Sequence, residues 1–332
     1  MSIVVTGGAG YIGAHVVRAL ASSGQDVVVV DDLSTSDAGR VAGVPLHRLD
    51  LTAPGADELV ADVLRESRAT AVVHLAAKKQ VGESVARPEW YYRQNVGGLA
   101  TVLEAARRTG CDRLVFSSSA AVYGEPASGV VDETTVAAPI NPYGRTKLVG
   151  EWMVQDAGRA WGLRHLSLRY FNVAGAAVPE LGDPAVLNLV TLVLDHLERG
   201  RRPVLFGDDY PTPDGSCVRD YVHVADLASA HVAALDYLGR DARDVEVLDV
   251  GLGRGSSVLE VLAAVERVTG LPTAPEVAPR RPGDPARLVA TARRVRETLG
   301  WEPTHDLTSM VASAWEAWRH QRDAGLEPLR AG

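Results

Sequence analysis

Cysteine is scarce in this chain and is not spaced for metal binding or redox chemistry. The 332 residues include only Cys111 and Cys217, which show no C-x-x-C spacing. Two such residues cannot build a disulfide framework, so we expect structural thiols in a reducing cytoplasm. The nine histidines show no H-E-x-x-H or comparable spacing, which argues against a metal-dependent hydrolase and predicts no metal site.

Long apolar runs and an excess of positive charge are also missing. No stretch approaches the roughly 20 apolar residues of a membrane span, and the first residues lack the basic region and long apolar core of a signal peptide. The net charge of −8 argues against a nucleic-acid surface. We therefore expect a globular protein that binds neither membrane nor nucleic acid, with length for one large or two ordinary domains.

Short apolar runs alternate with helix-like segments in the first half of the chain. Residues 3–5 and 27–30 are apolar, and Ile12, Val16 and Leu20 between them have helical spacing, which predicts a βαβ unit. Further apolar runs follow at residues 71–75, 113–116 and 166–169. Because these runs are apolar on both faces, we predict an α/β fold with a Rossmann-type, doubly wound parallel sheet.

The alternation breaks near Asn172, where proline and glycine become frequent. We therefore predict a Rossmann domain at residues 1–173 and a second, smaller α/β substrate domain at residues 174–332. Residues 245–250 have the composition of a late strand. The segment near 222–250 is accordingly expected to return to the first domain.

Three glycines follow the first apolar run. Gly7, Gly10 and Gly13 form a G-x-x-G-x-x-G variant of the dinucleotide fingerprint at a strand-to-helix junction. Without side chains, the backbone there can turn tightly and approach a pyrophosphate at the positive end of a helix. Asp31 ends the second apolar run, where a carboxylate accepts from ribose hydroxyls and repels a 2′-phosphate. This pattern predicts NAD rather than NADP as the cofactor.

Two further aspartates fit more than one role. Asp32 could share the ribose contact of Asp31 or simply face solvent. Asp50 follows the third predicted strand and suits either a contact with adenine or an ordinary turn. The residue types alone leave these alternatives open.

A tyrosine and a lysine at helical spacing point to proton transfer. Tyr143 and Lys147 follow the helix-start pair Asn141-Pro142, so they share one helix face. An ammonium there can stabilise the phenolate and lower the tyrosine pKa from roughly 10 toward neutrality. The serine run at residues 117–119 ends a predicted strand, where ligands collect in parallel sheets. We expect Ser119, Tyr143 and Lys147 to be catalytic.

Several segments together resemble the extended short-chain dehydrogenase/reductase family, and within it the nucleotide-sugar 4-epimerases, over nearly the whole chain. The shared segments are residues 6–13, 74–77, 81–84, Asn95, 117–124, 142–147 and 169–172. The stretch at 206–223, FGDDYPTPDGSCVRDYVH, is similar to the epimerase form of this region.

The resemblance implies inversion at C4 of a UDP-hexose, which interconverts UDP-glucose and UDP-galactose with NAD tightly bound. Tyr143 would remove the proton of the sugar 4-hydroxyl while Ser119 bonds the same oxygen and the C4 hydride passes to nicotinamide. The transient 4-keto sugar then turns about its pyrophosphate and takes the hydride back on its other face. Lys147 would also hold the nicotinamide ribose. The resemblance further implies a homodimer that pairs helices near residues 91–107 and 143–157.

The family pattern also assigns binding residues. Those expected near NAD are Gly7, Gly10, Tyr11, Ile12, Gly13, Asp31, Asp50, Leu51, Leu75, Ala76, Ala77, Lys79, Asn95, Ser117, Tyr143, Lys147 and Tyr170. Those expected near the nucleotide sugar are Lys79, Ser119, Tyr143, Asn172, Asn188, Leu189, Phe206, Arg219, Tyr221, Arg281, Asp284 and Leu288. Arginines suit the diphosphate, an aromatic ring suits uracil and Asp284 suits ribose. Leu288 matches the position beside the sugar 2-substituent, where its intermediate size predicts weaker turnover of N-acetyl sugars.

Other functions use the same fold. The shared motifs leave UDP-N-acetylglucosamine, UDP-glucuronate and UDP-pentoses open as substrates. A nucleotide-sugar 4,6-dehydratase needs an acid and a base just beyond the serine, where Ala120 and Ala121 stand, while Asp132 and Glu133 have the pattern of exposed turn residues. A non-catalytic NAD-binding module would not need the serine, the tyrosine and the lysine together.

Overall fold

The computed structural model describes residues 2–240, 246–281, 283–327 and 329–330. The described strands, β1 to β16, are Ser2–Thr6, Asp26–Asp31, Leu46–Arg48, Ala69–His74, Arg113–Ser119, Val130–Val131, Arg164–Tyr170, Asn172–Ala174, Ala185–Val186, Val204–Phe206, Val218–His223, Val247–Val250, Gly255–Ser257, Glu276–Ala278, Arg287–Ala290 and Leu329–Arg330. The described α-helices, α1 to α11, are Tyr11–Ser22, Ala56–Glu66, Val81–Ala86, Pro88–Tyr91, Gly98–Thr109, Pro142–Trp161, Leu189–Glu198, Val224–Gly239, Val258–Thr269, Arg293–Leu299 and Leu307–Asp323. A π-helix spans Tyr92–Gly97, and 3₁₀ helices span Ala38–Val41, Ala120–Tyr123 and Pro179–Leu181.

Seven parallel strands form the central sheet, in the order β12, β7, β5, β4, β1, β2, β3. The chain order reverses at β1, whose neighbours are β2 and β4. This reversal makes a topological switch point at the carboxyl end of β1, where doubly wound sheets bind their ligands. The α/β fold predicted from the alternating pattern is confirmed.

Helices cover both faces of this sheet. Ile3 of β1 belongs to the apolar core under α1 and α8, with Val16 and Leu227. Val4 belongs to the opposite core, which includes Val102 of α5 and residues of α2 and α6. Successive residues of the strand thus point to different cores, which explains why the strands are apolar on both faces. Among the described helices, none is long and apolar enough to cross a membrane.

A smaller sheet lies in the C-terminal half. There β11 pairs with β8, β13 and β15, and β15 pairs with β6. Three strands cross the boundary predicted at residue 173, because β8 spans it, β6 comes from the first half and β12 returns to pair with β7. The two halves of the chain are therefore interlocked. Val245, the first residue of the predicted late strand, lies outside the described residues.

Candidate active site

A cleft of about 560 Å³ opens beyond the carboxyl ends of the central strands. Its lining includes Gly7, Asp31, Leu75, Ser117 and Tyr170, which lie at or near the ends of β1, β2, β4, β5 and β7. All the residues that the sequence assigns to NAD line this cleft except Asn95. The structure thus brings the glycine loop and the tyrosine–lysine pair of α6 into one cavity.

The glycine loop contains two positions that leave no room for a side chain. Gly7 has φ +70°, and a Cβ there would lie 2.6 Å from the nitrogen of Ala76. A Cβ on Gly13 would lie 2.0 Å from the Gly7 oxygen. Helix α1 starts at Tyr11, and its N-cap residue Gly10 makes no side-chain hydrogen bond to the first amides. The result is a bare cradle at a positive helix end that fits a pyrophosphate.

Asp31 is buried at the end of β2 and faces the cleft. Its carboxylate accepts from the amides of Ala9, at 2.9 Å, and Leu33, at 2.8 Å. It therefore fastens the glycine loop and places a negative charge in the cleft. Asp50 is exposed and accepts from the amide and the hydroxyl of Thr52, both at 2.8 Å. Because Asp50 also lines the cleft, its turn geometry and a position near adenine are compatible.

Asn95 does not line the cleft. Its Oδ1 accepts from the amide of Lys78 at 2.8 Å, and its Nδ2 donates to the Lys78 main-chain oxygen and to Thr146 Oγ1, both at 3.0 Å. The buried amide group is thus committed to holding the segment after β4. Lys79, the next residue of that segment, is exposed on the cleft wall.

Sequence reasoning overlooked Lys78, which also lines the cleft. Its Nζ lies 2.6 Å from Ser34 Oγ and 3.4 Å from Asp32 Oδ2. Burial raises the pKa of Asp32, but the hydrogen bonds from Ser34 and the charge of Lys78 outweigh burial and lower it. Asp32 is therefore an ion-pair partner rather than a solvated carboxylate. No local pattern in the sequence marks Lys78, because its partners Asp32 and Ser34 lie 46 and 44 positions earlier in the chain.

Helix α6 presents Tyr143 from a well-fixed first turn. The side chain of Asn141 accepts from the amide of Gly144 at 2.9 Å, as the helix-start pattern predicts. A Cβ on Gly144 would lie 2.5 Å from the main-chain oxygen of Ala121, so the helix start lies directly against the turn after β5. Burial raises the pKa of Tyr143, and a hydrogen bond with Ser119 opposes the rise.

Lys147 lies one helical turn beyond Tyr143. Its Nζ donates to the Ser117 main-chain oxygen at 2.7 Å and lies 5.2 Å from the centre of the Phe116 ring. Burial lowers the pKa of Lys147 to about 7, and the charge of Glu151 opposes this shift. The protein alone therefore does not lower the pKa of Tyr143 as expected. Burial is the largest effect at both residues, and it raises the pKa of Tyr143 while it lowers that of Lys147. A cationic ligand in the cleft would favour the phenolate.

The three serines at the end of β5 have different partners. Ser119 Oγ accepts from the amide of Ala121, the second residue of the following 3₁₀ helix, at 3.2 Å, and it hydrogen-bonds Tyr143. Ser118 is buried and donates to Glu151 of α6. The main-chain oxygen of Ser117 accepts a hydrogen bond from Lys147 of α6. Ser119 is accordingly the serine whose hydroxyl lies beside the tyrosine.

Part of the set assigned to the nucleotide sugar gathers around β11. Arg219 forms an ion pair with Asp284 and is the register partner of Leu288 on β15. Tyr221 is buried and hydrogen-bonded to Asn172, and burial raises the pKa of Tyr221 to about 12. Except for Asp284, which precedes β15, these residues lie in the smaller sheet of the C-terminal half.

The rest of that set surrounds the same half. The guanidinium of Arg281 lies 3.8 Å from the centre of the Phe206 ring. Asn188 caps α7, whose first residue is Leu189, and donates to Asp183 at 2.8 Å. Of the nucleotide-sugar set, Lys79 and Tyr143 line the cleft among the described residues. The structure therefore brings the cofactor set together but leaves most of the sugar set on neighbouring elements.

The chain is similar to known proteins over nearly its whole length. Residues 3–248 match the NAD dependent epimerase/dehydratase family, and the chain belongs to that family. Over 328 residues it is 49% identical to a UDP-glucose 4-epimerase from Azospirillum brasilense, covering 95% of this chain and 91% of that protein. The resemblance to nucleotide-sugar 4-epimerases seen in the sequence is confirmed.

Two solved structures share the fold. The UDP-glucose 4-epimerase from Stenotrophomonas maltophila, with bound NAD and formylated UDP-arabinopyranose, has a TM-score of 0.92 at 40% identity, covering 98% of this chain and 99% of that one. The UDP-glucose 4-epimerase from Thermotoga maritima, with UDP-glucose, has a TM-score of 0.86 at 32% identity, covering 97% and 100%.

Proposed function

We propose that this chain is an NAD-dependent UDP-hexose 4-epimerase that interconverts UDP-glucose and UDP-galactose through a transient 4-keto sugar. The observation that carries the proposal is one cleft that joins Tyr143 and Lys147 to the glycine loop and Asp31. Proton transfer and dinucleotide binding are then adjacent, as oxidation of a sugar hydroxyl requires. The relatives named above have this activity, which supports the same substrate class.

The cleft fits NAD on its own geometry. The cradle at Gly7 and Gly13 has no room for side chains and suits the pyrophosphate, while Asp31 suits the ribose hydroxyls and disfavours a 2′-phosphate. Ile12 and Leu51 add apolar walls. When bound, NAD supplies reversible hydride transfer at C4 of the sugar.

Three side chains perform the proton chemistry in this proposal. Tyr143 removes the proton of the sugar 4-hydroxyl and returns it after C4 has inverted. Ser119, hydrogen-bonded to Tyr143, holds the same sugar oxygen. Lys147, fixed to the main chain of β5, holds the nicotinamide ribose and favours the phenolate. A positioned acid–base of this kind contributes roughly 10²–10⁴-fold to the rate.

The C-terminal half supplies recognition of the nucleotide sugar. Arg219 and Arg281 suit the diphosphate, and Phe206 suits the uracil ring. Because Arg219 is already paired with Asp284, the bound diphosphate would rearrange this ion pair or share it. Leu288, next to Arg219 in the sheet register, sets the space for the sugar 2-substituent. Residues 1–173 would hold NAD, and residues 174–332 would hold most of the UDP-sugar.

A 4,6-dehydratase is disfavoured by the same geometry. Ala120 and Ala121 follow the serine and carry no acid or base. The carboxylate of Asp132 accepts from the hydroxyl of Thr134, in the same turn, at 2.6 Å. The carboxylate of Glu133 accepts from the main-chain amide of Asp249 in β12 at 2.8 Å. Neither carboxylate lines the cleft.

We also propose a homodimer in the cytoplasm. Trp152 of α6 is 54% exposed, and α6 packs against α5 and the π-helix, so an apolar residue stands out on the helices expected to pair. Cys111 and Cys217 are free and buried, which suits a reducing compartment.

The function is tested by incubating the purified protein with a panel of UDP-sugars and identifying the products by proton NMR. The panel contains UDP-glucose, UDP-galactose, their N-acetyl counterparts, UDP-glucuronate and UDP-pentoses. Conversion of UDP-glucose and UDP-galactose into one another is expected. No conversion of any sugar, or a 4-keto-6-deoxy product, would contradict it.

A further inference from the structure

Lys78 connects two segments of chain that line the cleft. Its backbone belongs to the segment after β4, which is held from behind by both polar atoms of the Asn95 amide. Its ammonium reaches the loop after β2, where it bonds Ser34 at 2.6 Å and pairs with Asp32 at 3.4 Å. We call the contact of Lys78 with Asp32 and Ser34 the bridge. All three of its residues line the cleft, whereas the supporting Asn95 does not.

The bridge is well defined for a lysine near the surface. The Lys78 side chain is 18% exposed and that of Asp32 is 32% exposed, so water screens their attraction only in part. The Asp32 carboxylate is itself oriented by the amide and hydroxyl of Ser34, at 2.8 and 2.6 Å. The Lys78 ammonium also lies 5.7 Å from the centre of the Trp90 ring. The charge of Asp32, the hydrogen bond to Ser34 and the face of the Trp90 ring together hold the Lys78 side chain in one conformation.

The bridge lies at the end of the cleft where the adenosine of NAD is expected. Asp31, one residue before Asp32, is the expected ribose partner. On the same side, Gln94 donates to Thr52 at 3.0 Å, and both line the cleft. Side chains from the segment after β4 and from the π-helix thus reach across to the loops after β2 and β3.

We propose that Lys78 is a cofactor-retaining residue, whose bridge to Asp32 and Ser34 closes over the adenosine end of NAD. This inference rests on the proposed function, in which the hydride returns to the same sugar and NAD need not leave between turnovers. A bridge that must open before NAD departs slows dissociation. Lys78 would therefore act on the residence time of NAD and not on the proton transfer at Tyr143.

The test is the exchange of bound, radiolabelled NAD for an excess of unlabelled NAD in the holoenzyme. Lys78→Met keeps the aliphatic stem but removes the charged hydrogen bond, so we expect exchange to become about tenfold faster or more. Arg87→Met is the matched control, because Arg87 also lies over Trp90, at 4.2 Å, and is not bonded to the Asp32 loop. Its exchange rate should equal that of the wild type.

A double-mutant cycle with Asp32→Asn separates a bridge from independent contacts. If the bridge is the retaining element, Asp32→Asn also speeds exchange, and the double variant is no faster than Lys78→Met alone. Additive effects, unchanged exchange in Lys78→Met, or equal acceleration by Arg87→Met would each overturn the inference. Failure of the proposed function is distinguishable, since it would appear as absent NAD or absent epimerisation in the wild type itself.

Discussion

The ammonium of Lys147 donates to the main-chain oxygen of Ser117 at 2.7 Å, and this bond fastens α6 to the end of β5. The lysine is buried, and burial lowers its pKa from 10.5 to about 7. A charge that loses part of its hydration on burial costs folding free energy unless another charge or a bound ligand compensates it. In the protein without cofactor, burial of the Lys147 charge therefore lowers the free energy of unfolding.

Lys147→Met should therefore stabilise the cofactor-free protein while removing activity. Because the unfolded chain binds this proton more tightly, the cost is fully present below pH 7 and fades as pH rises toward 10.5. At pH 7 we expect the free energy of unfolding of the variant to exceed that of the wild type by at least about 1 kcal/mol. Urea unfolding of both proteins at pH 7 and pH 10 checks the sign. A difference that grows with pH would refute the argument.

Tyr143→Phe should abolish epimerisation while leaving the fold and NAD content unchanged. The substitution deletes one oxygen that transfers the proton and leaves the ring in place. The loss should be on the order of a hundredfold or more, measured as turnover of UDP-galactose, with circular dichroism and bound NAD as controls. Near-normal turnover of the sugars that the wild type converts would show that another group moves the proton.

The purified protein should contain NAD(H) and little NADP(H). Asp31 places a carboxylate in the cleft, and a 2′-phosphate there would meet like charge. Chromatography of a denatured extract identifies the dinucleotide, and stoichiometric NADP(H) would count against the role of Asp31.

Trp152→Glu should convert a dimer into a monomer. An exposed indole at a helix–helix interface loses its apolar contacts when it becomes a carboxylate. Light scattering at micromolar concentration gives the mass, and Val277→Glu is the control, because Val277 is 53% exposed on β14 in the other half. A monomeric wild type, or an unchanged mass in the Trp152 variant, would reject this interface.

Leu288→Ala should widen the range of sugars. Leu288 is nearly buried beside Arg219, and forcing an acetamido group against it costs about 1–3 kcal/mol. We expect the wild type to favour UDP-glucose and UDP-galactose and the variant to gain in kcat/KM on the N-acetyl pair. A wild type that prefers N-acetyl sugars, or an unchanged ratio in the variant, would show that Leu288 is not the gate.

The features that sequence predicted best are those with a fixed local geometry. The glycine loop, the helix start at Asn141 and the strand-end position of Asp31 each follow from a short pattern, and the structure has all three. The ion pair of Lys78 with Asp32 joins residues far apart in the chain, so no local pattern announces it. The raised pKa of Tyr143 was missed because spacing shows a neighbouring charge but not the loss of water.

The return of β12 to the central sheet has a consequence for biosynthesis. Strand β7 ends at Tyr170, yet its partner on the outer side begins at Val247, so the edge of β7 stays unpaired while the intervening chain is translated. An unpaired edge invites association with other chains. Because β12 is itself the edge of the finished sheet, its arrival replaces the seven-residue edge of β7 with a four-residue edge. A fragment that stops at residue 173 is therefore expected to aggregate more readily than the whole chain.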